Sequence, residues 1–199
     1  MRYIPTLLAG AALAIAACNE KTTPKTKSSE SAPAARTAAE AASSPSFAVP
    51  DTFKAALGKV FDGYAALQTA LAQDDLAKAK EAFNGMHVVL HMMPKDSLNT
   101  AAKAYWDSAD VRIMKALHPL ASSDSLPEVR ARFMDFTGVM LDVIETFGIA
   151  GDGSIHQFHC PMANDNKGAD WLQKSRALEN PYFGKSMLKC GSLVRTLKD

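Results

Sequence analysis

Four consecutive stretches of the chain carry apolar residues at steps of three and four, and each stretch ends at a helix breaker. This period places the apolar residues on one face of a helix. Over residues 52–73 that face is Phe53, Leu57, Val60, Phe61, Tyr64, Leu67 and Leu71. Asp74-Asp75 breaks the run and can cap the next one. Over residues 76–93 the stripe is Phe83, Met86, Leu90 and Met93, and Pro94 stops it. The third run starts after Ser97, carries Leu98, Ala102, Tyr105, Trp106, Ile113 and Leu117, and is expected to end at Pro119. The fourth opens on Ser125-Leu-Pro-Glu128, which reads as a capping box with Pro in the first turn. Its face is Val129, Phe133, Phe136, Met140, Val143, Ile144 and Phe147, and Gly148 and Gly151 close it.

Four such faces joined by short loops favour antiparallel neighbours. The expected fold is all-α: an antiparallel up-down-up-down four-helix bundle. Residues 151–199 differ. They are rich in Gly, Pro, Asn and Asp, with short apolar pieces between. The expectation there is a loop-rich extension with short helices or a short strand, the strand near residues 155–158. Trp171, Tyr182 and Phe183 would pack it onto the helices.

The first residues read as a targeting segment. Arg2 gives a positive start, and residues 7–17 are apolar but shorter than the roughly 20 residues a spanning helix needs. The end of that run, Ile15-Ala-Ala-Cys18, resembles the lipobox of bacterial lipoproteins. Residues 1–17 are therefore expected to be a lipoprotein signal peptide, with lipid on Cys18 as the membrane anchor. Asn19 follows where Asp is absent, and by the same resemblance this favours the outer membrane, with the folded domain in the periplasm. Residues 18–49 are mostly Ala, Ser, Thr, Pro and Lys and hold too little apolar surface to offset ordering. They read as a disordered tether ahead of a domain at 50–199.

Charge points to no partner. The chain has 22 basic and 21 acidic residues and no basic run, so nucleic acid is not expected. The sequence shows no phosphate-binding glycine loop. Cysteine use is more informative. With Cys18 consumed by lipid, Cys160 and Cys190 remain in an oxidising compartment, as a disulfide or as a pair of soft ligands.

The residues able to do chemistry gather near the C-terminus. His156, His159, Cys160 and Met162 fall within seven positions, and Met187 and Cys190 sit on a second segment. Thiolate and thioether sulfur select Cu(I) over harder ions. His159 could add a nitrogen, and His156 more weakly. Alternatively, a Cys160–Cys190 disulfide staples the loops and both methionines fill gaps. His87 and His91 are four apart on the second helix, so they share a face and could chelate an ion. Enzymatic activity is not expected: Cys160 follows His159, and neighbours in sequence point apart.

The segments Tyr64-Ala-Ala-Leu-Gln-Thr-Ala-Leu71, Arg132-Phe133, His159-Cys-Pro-Met-Ala163, Trp171-Leu172, Asn180-Pro-Tyr-Phe-Gly184 and Met187-Leu-Lys-Cys-Gly191 resemble a bacterial domain-of-unknown-function family. That family occurs as stand-alone envelope lipoproteins and at the C-terminus of periplasmic adaptor subunits of copper/silver RND efflux systems. The resemblance implies a helical domain with a heavy-metal, chiefly copper, role, and maps its Cys-Pro-Met and Met-x-x-Cys-Gly signatures onto Cys160, Met162, Met187 and Cys190. His159 departs from it, standing where an aromatic is commoner. Two functions follow as expectations. One is a lipoprotein that binds copper for buffering or delivery to efflux. The other is a disulfide-stapled module that docks an efflux adaptor or another envelope protein.

Overall fold

The computed structural model describes residues 47–198. The expected signal peptide, Cys18 and nearly all of the expected tether lie outside the described residues. The tether's last positions are inside: Phe47 and Val49 pack on the hydrophobic core, and the Phe47 N–H donates to the Thr146 carbonyl at 3.1 Å.

The described residues are mostly helical, with a small antiparallel sheet near the C-terminus. Four long helices come first: α1 (Asp51–Ala72), α2 (Leu76–His91), α3 (Thr100–Ser122) and α4 (Leu126–Phe147). Their starts and stops follow local chemistry. Asp74 takes a left-handed φ of 60° between α1 and α2, and the Asp75 side chain caps α2 by accepting from the Lys78 N–H at 3.0 Å. Asn99 caps α3 in the same way through the Ala102 N–H at 2.9 Å. Gly148, at φ 69°, ends α4.

Two details differ from the sequence reading. Pro119 does not end α3; the helix continues to Ser122, whose hydroxyl donates to the Pro119 carbonyl. A proline disturbs only the turn before it, so one further turn can follow in register. The capping box at Ser125 does not form either. Ser123 takes that place: its hydroxyl donates to Glu128 Oε2 at 2.9 Å and accepts from the Ser125 N–H at 3.2 Å.

The helices pair through their predicted faces. A side chain at Gly63 would meet the Met86 Cβ at 2.8 Å, so α1 and α2 are in close backbone contact there. Gly63 lies opposite Met86 while the helix ends meet at Ala72 and Leu76, which makes the pair antiparallel. Between α3 and α4, Tyr105 donates to Asp142 at 2.5 Å, and Arg112 pairs with the same carboxylate at 2.6 Å. Between α1 and α4, Phe53 packs on Phe147 at one end and Tyr64 on Phe133 and Phe136 further along. Trp106 of α3 meets Phe53 edge-on at 5.1 Å. One continuous core contains Phe53, Tyr64, Trp106, Phe133, Phe136 and Phe147, each fully buried. No helix among the described residues is long and apolar enough to cross a membrane.

The C-terminal part is more regular than a loop-rich extension. It holds β1 (Ile155–Cys160), β2 (Ala169–Gln173) and β3 (Ser192–Lys198) in the order β2-β1-β3, antiparallel throughout. Between β1 and β2 lies a four-residue helical turn, Ala163–Asn166, in which Asn164, Asp165 and Asn166 all have left-handed φ. These are residue types that tolerate it. The sheet docks on the helices through Trp171 and Phe158, stacked at 5.4 Å and both buried.

Candidate functional site

Cys160 closes β1 and Cys190 sits in the turn before β3, thirty residues on. The fold brings their sulfurs to 3.3 Å, as two free thiols in contact. Cys160 is fully buried, and Cys190 is half-buried. The hydrogen bond with Cys160, and then burial, push the Cys190 thiol up.

Three residues position Cys190. Gly191 has φ +132°, and a side chain on it would meet the His159 carbonyl and the Trp171 ring, each at 2.8 Å. Only glycine lets the chain pass this close to β1. Asn180 is fully buried and donates from Nδ2 to the Cys190 carbonyl at 2.7 Å. Its Oδ1 accepts from the Tyr182 and Phe183 N–H groups, and its backbone N–H donates to the Leu188 carbonyl at 2.8 Å. Tyr182, in turn, donates its hydroxyl to the Asp170 carbonyl and packs against Trp171 and Phe133. The sequence pattern does not single out Asn180 for this role. The Asn-Pro pair that begins a turn was its only local signal.

The methionines stand apart in exposure. Met162 is 46% exposed and lines a groove with Arg130, Met134, Tyr182 and Phe183. Met187 is half-buried in a short 3-10 turn (Gly184–Met187), and its carbonyl accepts from the Cys190 N–H at 3.0 Å.

The histidines do not join the thiols as one cluster. His159 precedes Cys160 on a strand, so the two side chains leave on opposite faces of the sheet. Its Nδ1 meets Asp170 Oδ1 at 2.6 Å. Asp170 also accepts from Gln157, which accepts from Arg195, and Arg195 pairs with Glu145. His159 thus begins a polar row along the sheet's other face. His156 is buried, with Nδ1 3.0 Å from Thr196 Oγ1. His87 and His91 are far along the chain on α2, with their Nε2 atoms 3.2 Å apart. Among the described residues, no three His, Cys, Asp or Glu side chains are grouped closely enough to hold one ion. A soft ion would find two thiols here and would need thioether sulfur to complete its shell.

The chain matches no curated protein and no solved structure. Residues 60–152, from the middle of α1 to just before β1, match the model of a family described as proteins of unknown function, DUF3347.

Proposed function

We propose that this chain is an envelope lipoprotein, anchored in the outer membrane through lipid on Cys18, that binds copper for buffering or for delivery to an efflux system. The helices act as an up-down-up-down bundle that carries the metal-binding segment, and the protein is not an enzyme. The observation that supports this reading is the 3.3 Å approach of the Cys160 and Cys190 sulfurs. Two thiolates on a tetrahedral ion stand about 3.8 Å apart for metal–sulfur bonds near 2.3 Å. An opening of about half an ångström would admit the ion. Cys190 is half-buried, which leaves a path for metal, and Met187 and Met162 supply thioether sulfur on the same two segments. Without His159 the donor set is sulfur alone, which favours Cu(I). A periplasmic adaptor of a copper efflux system is the partner this reading implies.

The complete burial of Cys160 favours a second reading. In it the pair closes as a disulfide, and the domain is an interaction module that docks an efflux adaptor or another envelope protein. A thiol count on protein taken from the periplasm, before and after mild reduction, separates the two when followed by Cu(I) competition against a chromogenic chelator. Copper binding predicts one Cu(I) per domain, lost when Cys160 and Cys190 are both replaced by Ser. No uptake after reduction would overturn it and leave the staple.

A further inference from the structure

A second set of metal-ligating atoms lies on α2, outside the thiol region. The buried stripe of this helix is Ala79, Phe83, Met86 and Leu90. Steps of four from Phe83 lead to His87 and then His91, so the three rings form one row up the helix. The Phe83 and His87 centroids are 5.7 Å apart, and those of His87 and His91 are 4.4 Å apart at 85°. The buried Phe83 ring thereby supports His87, and His87 supports His91.

This edge-on arrangement turns both Nε2 atoms toward each other, at 3.2 Å. That distance is a hydrogen bond between the two rings, with the donor and acceptor set by their tautomers. The same distance is also a chelate bite. With metal–nitrogen bonds of about 2.05 Å, nitrogens this far apart subtend about 100° at an ion, between square and tetrahedral angles. An ion takes the place of that hydrogen bond once both rings carry their hydrogen on Nδ1 and turn their Nε2 lone pairs onto it. His91 is exposed and His87 half-buried, so the remaining coordination positions open to solvent.

We propose that His87 and His91 form a chelating pair for a borderline divalent ion, with Cu(II) bound most tightly of the first-row series. This site is independent of the thiol pair. It uses other donors on another element, and it selects another oxidation state. A chain carrying both sites would hold copper in either state.

The test uses the full chain with Cys18, Cys160 and Cys190 replaced by Ser, so that no thiol reduces Cu(II). Cupric sulfate is titrated against glycine as competitor, with electron paramagnetic resonance to identify the ligands. The expected result is one bound Cu(II) with a two-nitrogen signature. His91→Gln should weaken it at least about tenfold, a loss no smaller than that for disturbing a ligand's support, while the same change at His118, an exposed residue of α3, leaves it unchanged. Equal affinity in the parent and His91→Gln chains overturns the proposal. A companion measurement needs no cysteine replacement: Zn(II) is added to the unsubstituted chain and the histidine ring resonances are followed. Joint shifts of His87 and His91 support the pair, and their absence at millimolar Zn(II) overturns it. Cu(I) uptake by the thiols should not respond to His91→Gln, so the two readings fail separately.

Discussion

The Tyr64 hydroxyl stands between Thr137 of α4, at 2.7 Å, and the Leu172 N–H of β2, at 3.0 Å. Proton accounting fixes the directions. Thr137 donates its hydroxyl to the Phe133 carbonyl at 2.9 Å, so Tyr64 donates to Thr137 and accepts from Leu172. One buried phenol therefore ties α1 to α4 and to the sheet. Burial, the leading cause, raises its pKa well out of the physiological range, and it stays protonated.

Tyr64→Phe leaves the buried Leu172 N–H and the Thr137 oxygen without this partner while preserving the ring stack on Phe133. The expected loss is about 1–3 kcal/mol, measured by urea unfolding. Amide exchange at Leu172 should accelerate more than exchange at α2 amides.

Asp74 offers a test by pH. Its carboxylate accepts from Arg130 at 2.5 Å and from the Lys185 N–H at 3.1 Å. The Arg130 hydrogen bond is the largest influence and holds the Asp74 carboxyl below its usual value. A depressed folded pKa means that the contribution to stability is complete above the unfolded value, about 3.9, and fades as pH falls through the folded one. Asp74→Asn keeps a residue that tolerates the left-handed turn and removes the charge. The stability gap between wild type and Asp74→Asn should be constant from about pH 7 to 5 and should narrow below about pH 4. A gap that does not change with pH would count against the ion pair.

Gly168 faces the His159 ring. At φ +86°, an added side chain would lie 2.6 Å from His159 Cε1 and 2.8 Å from Nε2. Gly168→Ala should force the ring off Asp170 and cost more than about 1 kcal/mol. Combining it with His159→Ala removes the clash and leaves the backbone strain. The double variant should therefore be less destabilised than the two single losses summed, and simple additivity would argue against the contact.

Asn180→Ala removes the donor to the Cys190 carbonyl and the acceptor for two N–H groups. It should cost about 2–3 kcal/mol, at the upper end for unpaired buried polar groups. It should also loosen Cys190, so that alkylation there speeds up more than at Cys160. Uniform acceleration of both thiols would indicate global opening instead.

The helices could be read in the sequence because their signals are local. Asp75, Pro94 and Gly148 each act within a turn, and the stripes repeat every three or four residues. The sheet could not be read in this way. β1 is buried at five of its six positions and β2 at four of its five, so neither alternates, while β3 is an edge with little buried. Pairings such as Phe158 with Trp171 depend on the docking surface of α1 and α4, which no short window contains. The cysteine pair was legible as a pair. The divergence of His159 from Cys160 was legible too, but not its partner: Asp170 lies on β2, eleven residues on, and only the strand pairing brings it to the ring.

Phe47 and Arg130 mark opposite ends of the α1–α4 pair. Phe47 holds the Thr146 carbonyl where α4 finishes, whereas Arg130, near its start, grips Leu71, Asp74 and Pro181. The 22 residues of α1 separate those ends by about 33 Å at 1.5 Å per residue. Met162 lies beside Arg130 at the far end, and β1 leads Cys160 toward it. Within the described residues, the contact made by Phe47 and the segment that bears Cys160 and Met162 therefore fall toward opposite ends of one helix pair.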